Sequence, residues 1–192
     1  MWYMELVDIF NKNGGFFRTK DLASRTQWIE LNEMIDEGVV LKLKSGLYCL
    51  RQCSVTSRDR EVFRAVPSGV FCMYSAWRHH ELTAESPFEH HLAVDVNSRI
   101  PLPNYPPIRL YRWNEKYHQL GTVETAEGIK IYDVEKSVCD ALRFRKMIGS
   151  NLVIEVLRNY AKRDDRNFDK LTEYARMMRI EHIMLDVIEP VL

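Results

Sequence analysis

The sequence predicts an α+β fold in two parts, a small N-terminal domain over 1–57 and a larger α+β domain over 58–192 that ends in a run of helices. Three observations carry this. The first fifty or so residues alternate helical and strand periodicity in short, glycine-punctuated blocks. A polar stretch over 51–57 then interrupts the pattern. Beyond it come short strand-like runs, and after Asp133 the apolar spacing is helical throughout, the order of an α+β domain.

In the first block Trp2, Leu6, Ile9 and Phe10 recur at helical spacing and form one apolar face. Asn13-Gly14-Gly15 stops that helix, because glycine accepts the left-handed backbone of a C-terminal cap. Thr19 is placed to cap a short second helix from Lys20 to Ala23, its hydroxyl accepting from a first-turn amide. Ser24-Arg25-Thr26 turns into a third helix, in which Trp28, Leu31, Met34 and Ile35 share the core face. Val40, Leu41 and Leu43 interleave with Lys42 and Lys44, the period of a half-buried strand. Ser45-Gly46 turns the chain, and Leu47, Tyr48 and Leu50 run back. Three helices and a hairpin in this order predict a winged helix-turn-helix.

Such a unit presents the start of its third helix to the major groove of DNA. Arg25, Thr26 and Gln27 are therefore the expected base contacts. Lys42, Lys44 and Ser45 on the hairpin, with Arg18 and Lys20, are the expected phosphate contacts. Charge argues for a shallow approach. Seven basic and seven acidic residues lie in 1–57, and Glu30, Glu33, Asp36 and Glu37 sit on the third helix, where they would repel phosphate. The whole chain has formal net charge zero, so any nucleic-acid contact rests on local distribution.

In the second block a helix is expected over 58–66, stopped by Pro67-Ser68-Gly69. Residues 70–80 read as a buried helix or a strand passing into one. Strands are expected over 91–96 and 108–113, joined by a rigid proline-rich loop over 100–107. A hairpin is expected about Glu127-Gly128. Asp133 caps the first of four closing helices, and Asn167 the third.

Several chemistries find little support in the residue pattern. Cys49, Cys53, Cys72 and Cys139 match neither zinc nor redox spacing and are expected as buried free thiols in a reducing cytoplasm. His79-His80 and His90-His91 stand near Glu81, Glu85 and Glu89, but adjacent side chains diverge and no third ligand follows at chelating distance. Asp133, Glu135, Lys136 and Asp140 resemble the acid–lysine clusters of metal-dependent nucleases. Capping by Asp133, and the preference of Glu135 for the positive end of a helix, explain them more simply. No phosphate loop, nucleophile elbow or dinucleotide fingerprint occurs. The expectation is a cytoplasmic protein that is not an enzyme, holds no metal or cofactor and touches no membrane. A second basic patch, Arg143, Arg145 and Lys146 around Phe144, is a further candidate for nucleic acid or an acidic partner, against a plain solvated helix face.

Three segments in order resemble the AbiEi-type proteins, winged-helix regulators and antitoxins of type IV toxin–antitoxin (abortive-infection) systems. They are Gly46-Leu47-Tyr48 after a lysine-bearing strand, the run from Pro67 to Trp77 with Leu82-Thr83 and Pro87, and the run from Tyr132 to Arg143. The resemblance implies that the N-terminal unit binds an operator, often that of its own promoter. It also implies that the larger domain counters a nucleotidyltransferase-like toxin without forming a stable complex with it. The alternative is a protein-interaction module that uses the same helices without DNA.

Overall fold

The computed structural model describes residues 4–54 and 58–188. Trp2 and the connector residues 55–57 lie outside the described residues, as do the side chains of Cys53, Val187 and Ile188. The fold is α+β with two sheets. The chain forms two compact units, Met1–Pro67 with Arg99–Ile108, and Ser68–Ser98 with Arg109–Leu192. The first unit therefore takes in residues 58–67 and 99–108, which the sequence boundary after residue 57 assigns to the second.

Unit 1 opens with α1 (Met4–Lys12), β1 (Phe16–Arg18), a 3-10 turn (Thr19–Asp21) and α2 (Arg25–Asp36). The hairpin of β2 (Val40–Lys44) and β3 (Leu47–Leu50) follows, then α3 (Arg51–Ser54) and α4 (Arg58–Ala65). The sheet runs β1-β3-β2, both pairs antiparallel. Leu6, Phe10, Phe17, Leu31, Met34, Val40, Tyr48 and Leu50 form the core. Phe10 and Phe17 pack with ring centroids 5.2 Å apart.

Unit 1 differs from the sequence expectation at four places. The short second helix is a 3-10 turn beginning at Thr19. Its start is held by Asp21, whose carboxylate accepts from the Arg18 amide at 3.1 Å, and not by a Thr19 cap. Thr19 instead donates its amide to Gly46 O at 3.0 Å, and its hydroxyl would lie 2.9 Å from any Cβ at Gly46, a residue at φ +74°. The hairpin turn thus needs glycine for space as well as for backbone. Trp28 is 40% exposed, and only Leu31 and Met34 of its expected face are buried. In β2 the pairing shifts between Lys42 and Lys44, so Leu43 is an extra residue and the alternation breaks. Val40 and Leu43 are buried while Leu41 is partly covered. The start of the polar connector is helical, and Arg51 donates its Nε to Gly38 O.

Unit 2 contains β4 (Val70–Phe71), α5 (Met73–His79), β5 (His90–Asp95), β6 (Ile108–Trp113) and α6 (Glu115–Gln119). The hairpin β7 (Thr122–Glu124) and β8 (Lys130–Tyr132) leads into α7 (Val134–Arg143), α8 (Arg145–Ile148), α9 (Ser150–Ala161), α10 (Phe168–Met177) and α11 (Glu181–Ile188). The sheet order is β6-β5-β4-β8-β7, with β4 antiparallel to β5 and parallel to β8. Asp133 caps α7 by accepting from the Lys136 amide at 2.8 Å, and Asn167 caps α10 by accepting from the Lys170 amide at 3.0 Å. Helix α7 is buried along most of its length. Trp77 of α5 donates its indole N–H to Ser137 O at 2.8 Å, which fastens α5 to α7.

Gly121 has the closest approach of the glycines described in unit 2. Its φ is +67°, and a Cβ there would lie 2.6 Å from Lys136 Cβ and 3.0 Å from Asp133 Oδ1. Gly121 O also accepts the Asp133 amide at 2.7 Å. Gly121→Ala is expected to destabilise unit 2 by more than about 1 kcal/mol, since backbone preference and contact act together. Urea denaturation would read this as a lowered midpoint; an unchanged midpoint would contradict the close approach.

Candidate nucleic-acid interface

The candidate surface lies at the start of α2 and along the β2–β3 hairpin. Ser24 Oγ accepts from the Gln27 amide at 3.2 Å, so α2 begins at Arg25 with its first amides and positive helix end directed at that start. Arg25 and Thr26 are exposed. Gln27 is partly covered, and its Oε1 accepts from the Ala23 amide at 2.8 Å, so this side chain braces the helix start. The carboxylates of α2 follow later, Glu30 first at about 7.5 Å from Arg25 along the axis. Glu33 lies about 12 Å from Arg25 along the axis, at about 1.5 Å per residue, and Asp36 and Glu37 lie beyond it.

On the hairpin, Lys42 and Ser45 are exposed. Lys44 is half-buried, and its Nζ donates to Ala65 O, the last residue of α4. Burial, then the charge of Arg18, hold its pKa below the ordinary lysine range. Lys44 is therefore an anchored cation that caps α4, not a mobile one. Arg18 is half-buried and Lys20 exposed. The eight expected contacts thus divide into the exposed Arg25, Thr26, Lys20, Lys42 and Ser45, the half-buried Arg18, and the engaged Gln27 and Lys44. Sequence reasoning missed the exposure of Trp28 and of Ile29, which is 51% exposed. Their apolar character favours an interior reading, and only the packing of Leu31 and Met34 fixes which side of α2 turns inward.

The second basic patch separates on folding. Arg143 donates to Met178 O at 3.1 Å, and its guanidinium lies over the Trp113 and Tyr117 rings at 5.1 and 5.4 Å. Arg145 donates to Leu142 O at 3.3 Å. Lys146 is exposed. Phe144 packs inward on Trp113 and Tyr111, with centroids 5.6 and 5.7 Å away. Arg143 thus serves the aromatic core of unit 2.

The acid–lysine cluster is also internal. Lys136 and Asp140 pair at 2.6 Å with side chains 0% and 1% exposed. Lys136 Nζ sits over the Tyr132 ring at 4.1 Å and the Trp113 ring at 5.0 Å. Burial raises the Asp140 pKa, against the pull of Lys136 and Arg143. Asp133 Oδ2 and Glu135 Oε2 instead hold Lys170 at 3.0 and 3.3 Å, tying α7 to α10. The His79 and His80 rings pack edge-to-face at 5.0 Å, and the polar contacts of the histidines lead to different partners. His80 Nε2 meets Tyr132 O at 2.7 Å, His91 Nδ1 meets the Tyr111 hydroxyl at 3.0 Å, and His90 packs edge-on to Phe71. Cys72 and Cys139 are free thiols and buried, and Cys49 is buried as well. Among the described residues, no three His, Cys, Asp or Glu side chains are grouped to hold a metal ion, and no helix is long and apolar enough to cross a membrane.

Fold and surface together define an α+β protein whose smaller unit carries an exposed helix start and a basic hairpin. The chain is similar to the RV2827C protein from Mycobacterium tuberculosis in its crystal structure, with a TM-score of 0.60 and 12% identity. The match covers 95% of this chain and 76% of that one. At that identity the likeness concerns the fold alone. No protein-family model matches the chain, and no curated protein matches it.

Proposed function

We propose that unit 1 is a winged helix that binds duplex DNA, and that the chain is a transcriptional regulator and antitoxin of the AbiEi-like class. One observation carries the reading. Arg25 and Thr26 stand exposed at a Ser24-capped helix start, in the same compact unit as a hairpin with exposed Lys42 and Ser45. A helix start offers amides and a positive dipole end to phosphate. A tip-first approach also keeps Glu33 and Asp36 away from the duplex, with only the half-buried Glu30 of the α2 carboxylates nearer the tip. In this reading Arg25 and Thr26 meet base edges, Lys42, Ser45 and Lys20 meet phosphates, and Lys44 with Arg18 supplies fixed positive potential. The antitoxin role, with a nucleotidyltransferase-like toxin countered without a stable complex, rests on the ordered sequence resemblance.

The test is titration of the full chain with labelled duplex from the region upstream of its reading frame and with an unrelated duplex. Affinity is expected to fall steeply between about 50 and 200 mM salt as counterions are released. Lys42→Ala is expected to weaken both duplexes alike and to reduce the salt slope by about one. Arg25→Ala is expected to narrow the difference between the two duplexes. Absence of binding at low salt would refute the reading. Co-expression with a nucleotidyltransferase-like toxin encoded alongside tests the antitoxin role through rescue of growth.

A second reading is favoured by the exposed Trp28 and Ile29 beside the α2 carboxylates, a mixed apolar and acidic face suited to a protein. A stable protein partner lost on Trp28→Ala, with no shift of DNA, would replace the first reading.

A further inference from the structure

Residues 99–108 return to unit 1 far from it in sequence. This strap carries Pro101, Pro103, Pro106 and Pro107, so little freedom remains for it to lose on binding. Together with the hairpin it encloses an open cleft of about 310 Å³. Lys42, Lys44, Ser45 and Asn104 provide the polar lining, and Leu43, Pro101 and Leu102 the apolar lining. No carboxylate belongs to this lining. Lys42, Ser45, Pro101 and Asn104 are exposed, and Leu102 is 41% exposed, so the cleft faces solvent. Lys44 is anchored in it by Ala65 O.

We infer that this cleft binds the sugar–phosphate backbone of one DNA strand, and that the strap, through Asn104, is a second and sequence-independent part of the DNA-contact surface. The inference rests on the DNA-binding reading above and deepens it. A backbone segment alternates phosphate oxygens, which accept from ammonium, hydroxyl and amide donors, with deoxyribose faces, which pack on proline and leucine. The cleft offers both kinds of surface side by side. A protein carboxylate would use the two lysines but leave the apolar lining idle. A free inorganic anion would do the same.

The experiment uses the full chain and a fluorescein-labelled duplex of random sequence, titrated between about 50 and 200 mM salt. Asn104 is exposed, so substitutions there leave the fold intact, which a thermal melt checks. Asn104→Lys is expected to tighten binding about 5- to 10-fold near 0.1 M salt and to steepen the salt slope by about one phosphate's worth. Asn104→Asp is expected to weaken binding to a similar degree by setting a carboxylate against phosphate. If both variants bind like the unmodified chain while Lys42→Ala is weaker, the strap is not a DNA contact. The inference then falls and the DNA-binding reading stands. If the unmodified chain does not bind the duplex, both fall together.

Discussion

Asp140→Ala is expected to destabilise unit 2 by about 3–5 kcal/mol, the cost of leaving one member of a buried ion pair alone. Asp140 Oδ1 lies 2.6 Å from Lys136 Nζ, and both side chains are inside the molecule. With the carboxylate gone, the ammonium retains the faces of Tyr132 and Trp113. Contacts of that kind are worth about 2 kcal/mol when desolvated, so the loss should fall near the lower end of the range. The pair itself is not a large net source of stability. Asp140 Oδ2 has no hydrogen-bond partner among the described residues, so desolvation of the carboxylate is only partly offset. The double variant Lys136→Met with Asp140→Leu is therefore expected to lie close to the unmodified chain. Urea denaturation of the three proteins decides the matter. A harmless Asp140→Ala, or a double variant as weak as the single one, would show that charge pairing is not what the site provides.

Acid is expected to unfold unit 2 through His91. This side chain is 2% exposed, stacks on Tyr111 at 5.6 Å and has no partner at Nε2 among the described residues. Burial pushes its pKa down from 6.5 to about 4; Glu89 opposes that shift, while Arg109 and His90 add to it. Burial lowers the pKa of His80 too. A histidine depressed in the fold takes up its proton more readily once unfolded, so stability rises with pH across this window. The contribution of His91 is fully present above about pH 6.5 and is lost as pH falls toward about 4, amounting to about 3 kcal/mol at 1.36 kcal/mol per unit. Unfolding free energies measured at several pH values between 4 and 7 should show this fall. His91→Phe keeps an aromatic ring against Tyr111 and should make the profile shallower. A variant with the same acid profile as the unmodified chain would remove His91 as the cause.

Elements with strong local signals were legible in the sequence. The caps at Asp133 and Asn167 form as expected because a side-chain acceptor three residues ahead of a free amide is a local arrangement. The hairpin about Glu127-Gly128 was legible from its turn residues, and of the two readings open for residues 70–80 the structure has the strand passing into a helix. Trp28 misled because it is spaced with Leu31 and Ile35 yet lies about 120° around the helix from Met34, so a core centred on Leu31 and Met34 leaves it at the edge. The bulge at Leu43 was invisible because one extra residue leaves composition and turn signals unchanged while reversing the side on which later residues lie. Arg143 looked like part of a basic patch because sequence proximity to Arg145 and Lys146 says nothing of the aromatic rings beneath it.

Local chemistry alone thus determined the α+β class, the turns, the capped helix starts and the exposed Arg25 and Thr26 at the head of α2. Those depend on interactions spanning a few residues, which the order of amino acids states directly. Tertiary structure alone decided that the i,i+4 pair of Lys136 and Asp140 is buried inside unit 2, that Lys44 is spent on Ala65, and that residues 99–108 flank the hairpin. Each of these is a pairing of groups whose worth is set by burial and by neighbours brought from elsewhere in the chain, and neither is written in local sequence.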